Sequence, residues 1–203
     1  MARKTKAEAA ATREALLDAA EEVFFVKGVA RTSLEQIARH ADLTRGAVYW
    51  HFKNKGDLFM ALVERVRMPF QSLMEEVHNA DPTISPLTAI QLACYAGLNR
   101  MEQPSHQRIL SILLHRCEFF SDINPIKMQD EIADECFDEM LSVFQLAQQQ
   151  QLLRDDLTPE VATRLMQAAL GGLFHDWLRN PESFSLCERG GELIDTLITM
   201  MKR

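Results

Sequence analysis

A chain of 203 residues with a formal charge of −7 is large enough to bury a real core, as one or two modest domains. It holds no apolar run of bilayer length, and its basic, helix-prone start MARKTKAEAAATR lacks the apolar segment of a signal sequence, so a cytoplasmic protein without membrane contact is expected. Cys94, Cys117, Cys136 and Cys187 form no CxxC pair, which fits reduced thiols used as small apolar side chains.

An acidic total argues against a nucleic-acid partner, but its distribution reverses that. Through Gly56, ten Lys and Arg face seven Asp and Glu, a surplus of three, so the remainder carries −10. A basic head on an acidic body suits a protein that touches DNA at one end.

The first helix is predicted over 7–27, with Leu16, Leu17, Ala20, Val23 and Phe24 as its apolar stripe and Gly28 just past its end. Arg3, Lys4 and Lys6 can act as a mobile arm for phosphate contacts. Thr32 and Glu35 stand at capping-box spacing, and Leu34, Ile37, Ala38 and Ala41 continue at helical spacing. Asp42 and Leu43 interrupt that pattern; Thr44 caps a second helix, whose inner face is Val48 and Phe52. Two short helices across a tight turn make a helix-turn-helix, with Thr44 to Phe52 as the recognition helix.

The outer residues of that helix carry the chemistry. Gly46 and Ala47 let it sink into a major groove, and the Thr44 end presents amides to a phosphate. Arg45 has the fork that reads guanine, while Tyr49, His51, Lys53 and Lys55 can hold phosphates. The alternative, aromatics as core, suits Phe52 and Trp50 better than it suits Arg45, Tyr49 and His51. The DNA-binding set is Thr32, Ser33, Thr44, Arg45, Gly46, Ala47, Tyr49, Trp50, His51 and Lys55.

Asn54 caps a fourth helix with Asp57 at its third position, running through Leu58, Leu62 and Val66 to His78, with a kink or break at Pro69. The turn-rich NADPTIS, residues 79–85, marks a boundary. Further helices are predicted from Ser85-Pro86 to Glu102, over 109–120, from Asn124-Pro125 to Leu153, from Thr158-Pro159 to Arg179, and over 188–201. No stretch alternates long enough for a strand, so the fold class is all-α.

In the last two helices, Gly171 and Gly172 sit mid-helix at roughly 1 kcal/mol each, which predicts compensation by a close backbone approach. Leu173, Leu193, Ile194, Leu197, Ile198 and Met201 are the expected interface of a homodimer, a four-helix bundle across a two-fold axis. Glu75 and His78 form one E-x-x-H, and Asp130, Glu131, Asp134, Glu135, Asp138 and Glu139 an acidic stripe. A di-iron bundle needs two such motifs, so neither a metal nor another cofactor is expected, and no catalytic set is found.

The stretch TREALLDAAEEVFFVKGVARTSLEQIARHADLTRGAVYWHFKNKGDLF closely resembles the DNA-binding domain of the TetR family of bacterial repressors. MARKTK and the later HRCEF (His115 to Phe119) resemble its AcrR, TtgR and MtrR branch, which regulates multidrug efflux pumps. Asp42 stands where members commonly have Gly, and Asp tolerates the left-handed conformation that the turn needs. The resemblance implies a homodimeric repressor that binds a near-palindromic operator and releases it when a hydrophobic small molecule enters the body. It also implies dimerisation through the last two helices, and movement transmitted by the helix leaving the DNA-binding domain. A regulator of catabolism or lipid metabolism with the same mechanism is the alternative.

Ten Met and eleven Phe in the chain favour adaptable apolar cavities in the body. Candidate lining residues are Leu92, Ala96, Asn99, Leu113, Leu114, Phe137, Met140, Gln167, Leu170 and Phe174. Leu110 and Leu114 stand where TtgR-like proteins place polar ligand contacts, which implies a greasier pocket. The expected domains are 1–60 for DNA and 61–203 for ligand and dimer.

Overall fold

The computed structural model describes residues 6–120 and 123–203. Those residues form ten α-helices and no strand, with isolated bridges only at Phe120–Ile123 and Leu153–Lys202. The helices are α1 (Lys6–Lys27), α2 (Leu34–His40), α3 (Arg45–His51), α4 (Lys55–Glu64), α5 (Phe70–Ala80), α6 (Pro86–Met101), α7 (Pro104–Ser111), α8 (Pro125–Gln149), α9 (Pro159–Arg179) and α10 (Leu186–Met201). None is long and apolar enough to cross a membrane.

Local chemistry sets most boundaries. Gly28 takes φ +80° after α1 and its N–H closes on Phe24 O at 2.8 Å, as a C′ residue should. Ser85 and Thr158 cap α6 and α9 by accepting from Thr88 N and Val161 N, each with Pro next, where its missing N–H costs nothing. Pro69 breaks the long fourth helix: α4 stops at Glu64 and Pro69 becomes the N-cap of α5.

The chain divides into two compact units. The first comprises the described residues to Arg67 together with Pro104–Gln129. Its core joins Leu16, Leu17 and Phe24 of α1 to Ile37, Val48, Leu58, Phe59 and Leu62, and takes in Ile109, Ile112, Leu113 and Met128 from the later segment. Phe59 meets Phe24 and Phe120 edge-on, each at 6.0 Å between centroids. The helix expected over 109–120 instead begins at Pro104, widens into a π turn at Ile112–Arg116 and stops. It stops because Arg116 O accepts from Val29 N at 3.2 Å rather than from a further turn, and Cys117 is extended.

The second unit is Met68–Gln103 with Asp130–Arg203. Here α6 packs against α5 and α10, and α10 against α9. A Cβ at Gly190 would overlap Leu98 Cδ1, so that glycine lets α10 close on α6. The chain end is pinned by Arg154 N to Met201 O (3.0 Å) and Arg203 N to Leu152 O (2.9 Å).

Among the described residues a Cβ at Gly171 or Gly172 would meet nothing within 4 Å, so the close backbone approach expected there is not made among them. One expectation for this unit is corrected. Ile194, Ile198 and Met201 are buried inside the chain, because they share the face of α10 that carries Gly190. Leu173, Leu193 and Leu197 are half-buried, while Val161, Leu165 and Met200 are exposed.

Candidate nucleic-acid interface

The first helix of the motif starts one residue later than the Thr32 capping box implied. Ser33 is the N-cap: its Oγ accepts from Gln36 N at 3.2 Å, and Gln36 Oε1 accepts from Ser33 N at 2.8 Å. Thr32 points inward, 3% exposed, and donates its hydroxyl to Gly28 O at 2.8 Å. It is therefore a structural hydroxyl rather than a DNA contact, whereas Ser33 is exposed. The one-residue shift also frees Glu35 from capping.

Asp42 takes φ +54°, the left-handed conformation the turn requires, and Leu43 N closes on Ala38 O at 2.8 Å. Thr44 then caps α3 by accepting from Ala47 N at 3.2 Å. Val48 and Phe52 face inward as predicted. Trp50 does not: it lies on the opposite side of the helix from Val48, 72% exposed, with its ring edge-on to His51 at 4.5 Å. The core reading of Trp50 is thus wrong. At Gly46 an added Cβ would be 3.9 Å from its nearest neighbour, so nothing among the described residues demands glycine there; its absence of side chain keeps the outer surface low.

Three residues meet on this surface. Arg45 Nε lies 3.2 Å from Glu35 Oε1, Tyr49 donates its hydroxyl to the same oxygen at 3.0 Å, and the Arg45 guanidinium sits 5.4 Å from the Tyr49 ring centre. Glu35's own backbone amide, then the Tyr49 hydroxyl and the Arg45 charge, hold its carboxyl below the usual carboxylate range. The sequence reading missed Glu35 because it was assigned to the cap.

Lys55 serves partly as a brace. Its ammonium donates to Val29 O (2.8 Å) and Ala30 O (3.0 Å) and stands 4.8 Å over the Phe120 ring. Burial pushes its pKa down. Two of its three protons are thereby used inside the unit. Lys53 is exposed, and Asn54 caps α4 by accepting from Asp57 N at 2.7 Å. Arg3 and Lys4 lie outside the described residues; Lys6 is exposed at the start of α1.

The candidate ligand residues are split. Leu113 is 3% exposed in the first unit's core, where Leu110 also packs, so Leu113 is core and not pocket wall. Leu114 belongs to the same unit, and the other eight to the second. Leu92 and Asn99 are exposed on one face of α6, with Ala96 half-buried between them, and Met140 is buried. Phe137, Gln167, Leu170 and Phe174 are half-buried on α8 and α9; Gln167 Nε2 donates to Ala133 O at 2.8 Å, joining the two helices. The Arg164 guanidinium covers Phe137 at 3.9 Å, and Phe174 stacks on Trp177 at 6.1 Å.

Glu75 accepts from Gln71, and His78 pairs with Met74 O; among the described residues no three His, Cys, Asp or Glu gather as a metal site. The acidic stripe is exposed apart from the half-buried Glu139, which accepts from Gln71 N at 2.6 Å.

Known proteins fit this architecture along its whole length. Residues 16–62 match the model for bacterial regulatory proteins of the tetR family, and 85–203 match the C-terminal region of MAATS-type transcriptional repressors. The transcriptional regulator TtgR of Pseudomonas putida is 34% identical over 204 residues, covering 100% of this chain and 97% of its own. NalD, the secondary repressor of the MexAB-OprM multidrug efflux pump in Pseudomonas aeruginosa, is 36% identical with a TM-score of 0.84, over 98% of this chain and 99% of its own. SmeT, the repressor of the Stenotrophomonas maltophilia efflux pump SmeDEF, solved as a triclosan complex, is 31% identical with a TM-score of 0.80, over 95% of this chain and 92% of its own. With both parts matched in order and α2–turn–α3 built as described, this chain belongs to the TetR family of bacterial transcriptional regulators.

Proposed function

We propose that the protein is a homodimeric repressor of a multidrug efflux operon, released from its operator by hydrophobic small molecules. One observation carries the reading: α3 turns Val48 inward and leaves Arg45, Tyr49 and Trp50 on an outer surface kept low by Gly46. Such a surface fits a major groove, with Arg45 reading guanine and Ser33, Thr44, His51 and Lys53 available to phosphates. The DNA-binding surface lies within residues 1–60, on the first unit, and the ligand and dimer surfaces lie within 61–203, on the second unit. The protein works in the cytoplasm, on its operator.

The dimer forms through the outer faces of α9 and α10. Val161, Leu165, Ala168 and Gly172 recur at helical spacing on α9 and are all exposed, and Leu193, Leu197 and Met200 do so on α10, half-buried or exposed. The open space beside Gly172 admits a partner helix at close range. The inducer binds the second unit against Phe137, Leu170 and Phe174. Release requires it to prefer a conformation in which two recognition helices no longer match their half-sites; tenfold weakening takes about 1.4 kcal/mol. The reading is tested by footprinting the protein on the DNA flanking its own gene and on efflux operons, with and without apolar aromatic compounds such as triclosan. A protected palindrome that the compounds release supports it, and a uniform, sequence-blind footprint refutes it.

A further inference from the structure

We infer that Glu35 is a specificity-determining positioning residue: its carboxylate holds the Arg45 guanidinium and the Tyr49 hydroxyl in one pose, so that Arg45 can read a single base. The inference rests on the DNA-binding reading above and goes further. It assigns a role to an acidic side chain that electrostatics alone would keep off a DNA surface.

The geometry is specific. One oxygen, Glu35 Oε1, lies 3.2 Å from Arg45 Nε and takes the Tyr49 hydroxyl at 3.0 Å. The Tyr49 ring lies beneath the guanidinium, 5.4 Å from its carbon. Arg45 is thus held at Nε from one side and along its plane from another, on a side chain otherwise 73% exposed. With the carboxylate paired at Nε, the two terminal nitrogens stay available as a pair, whose spacing matches the O6 and N7 acceptors of guanine end-on. An arginine without that restraint could equally swing to a phosphate, which carries no sequence information. Glu35 also does modest work in the fold, as an acid in the first turn of α2 that accepts from its own backbone amide. It is not the cap of α2, a role that Ser33 and Gln36 fill, and exposed ion pairs contribute little to stability.

A carboxylate facing DNA has a cost, which makes the inference testable: repulsion from the phosphates lowers affinity for every sequence, so its benefit must appear as discrimination. Glu35→Gln removes the charge that holds Arg45 and keeps an acceptor for Tyr49. The full-length protein and its Glu35→Gln, Arg45→Ala and double variants are each put through selection from a randomised duplex pool, followed by competition on single-base variants of the wild-type consensus. Wild type should discriminate at one guanine per half-site by tenfold or more, and Arg45→Ala should lose that discrimination. Glu35→Gln should lose most of it at the same position while binding a random duplex several-fold more tightly. The double variant should be no less selective than Arg45→Ala alone.

Circular dichroism melts check that Glu35→Gln stays folded, as a surface change should. If it keeps the wild-type preference at the position that Arg45→Ala relaxes, Glu35 does not position Arg45 and the inference fails. It fails equally if Arg45→Ala relaxes no position. If wild type itself selects no sequence, the DNA-binding reading falls instead, an outcome separable from the other two.

Discussion

Lys55→Met separates bracing from DNA contact. The change keeps the aliphatic stem and deletes an ammonium that donates to Val29 O and Ala30 O and lies over Phe120. Hydrogen bonds from a charged donor contribute about 1.5–3 kcal/mol each, and an exposed cation–π contact about 0.5–1. Both must be discounted. Val29 O also accepts from Thr32 N at 3.3 Å, Ala30 is exposed so water can replace the lost donor, and burying the ammonium is itself costly, as its lowered pKa shows. A net loss of about 1–2 kcal/mol remains, or roughly 2–8 °C in melting temperature for a chain of this size. The assay is a calorimetric melt beside operator binding at several salt concentrations. An unchanged melt would refute the brace. The salt slope reports separately: it falls by about 0.9 if the remaining N–H meets a phosphate, and stays put if Lys55 only braces the turn.

Other consequences follow from the same structure. Leu165→Glu, on the exposed face of α9, should leave the chain folded but put an unpaired charge into the proposed seam; sedimentation should show monomers at concentrations a hundredfold above the wild-type dissociation constant. Asp42→Val should lower stability by about 1–2 kcal/mol in thermal melts because a β-branched residue resists φ +54°, whereas Asp42→Gly should be neutral or stabilising. Burial pushes the Cys94 thiol up to about 12 from 9.0, so the folded state keeps a proton that the unfolded state loses. The stability this contributes is intact below pH 9 and is lost as pH rises towards 12, at up to about 1.4 kcal/mol per pH unit. Denaturant titrations between pH 8 and 11 should show a shallower decline for Cys94→Ala.

Local chemistry made much of this fold readable in advance. Ser85-Pro86, Thr158-Pro159 and Thr44 capped their helices where expected, because a side-chain oxygen three residues ahead of an orphan amide needs nothing from the rest of the chain. The α2 start was ambiguous for a visible reason: TSLEQ contains two overlapping capping boxes, Thr32 with Glu35 and Ser33 with Gln36. A bond four residues back, Thr32 to Gly28 O, takes the Thr32 hydroxyl and decides between them. Periodicity read Leu193, Ile194, Leu197, Ile198 and Met201 of α10 as one stripe and could not say which of them face home. Gly190, Ile194, Ile198 and Met201 turn inward and Leu193, Leu197 and Met200 outward, and both sets recur at helical spacing. The π turn at Ile112–Arg116 and its docking on Val29 depend on contacts more than eighty residues apart, which no local pattern encodes. Glu35's partnership with Arg45 and Tyr49 was within reach, since α2 and α3 were already placed side by side, but the side chain had been assigned elsewhere.

The central claim, sequence-specific binding that a small molecule reverses, is tested most directly by fluorescence anisotropy. A labelled duplex from the region flanking the protein's own gene is titrated with the dimer at physiological salt, and the complex is then titrated with triclosan and other apolar aromatic compounds, while calorimetry on the protein alone reports whether each compound binds. The account predicts affinity at least a thousandfold above that for a random duplex, on the order usual for specific DNA binders, and tenfold or greater weakening by compounds that bind. Equal affinity for both duplexes, or compounds that bind the protein and leave the DNA affinity unmoved, would contradict it.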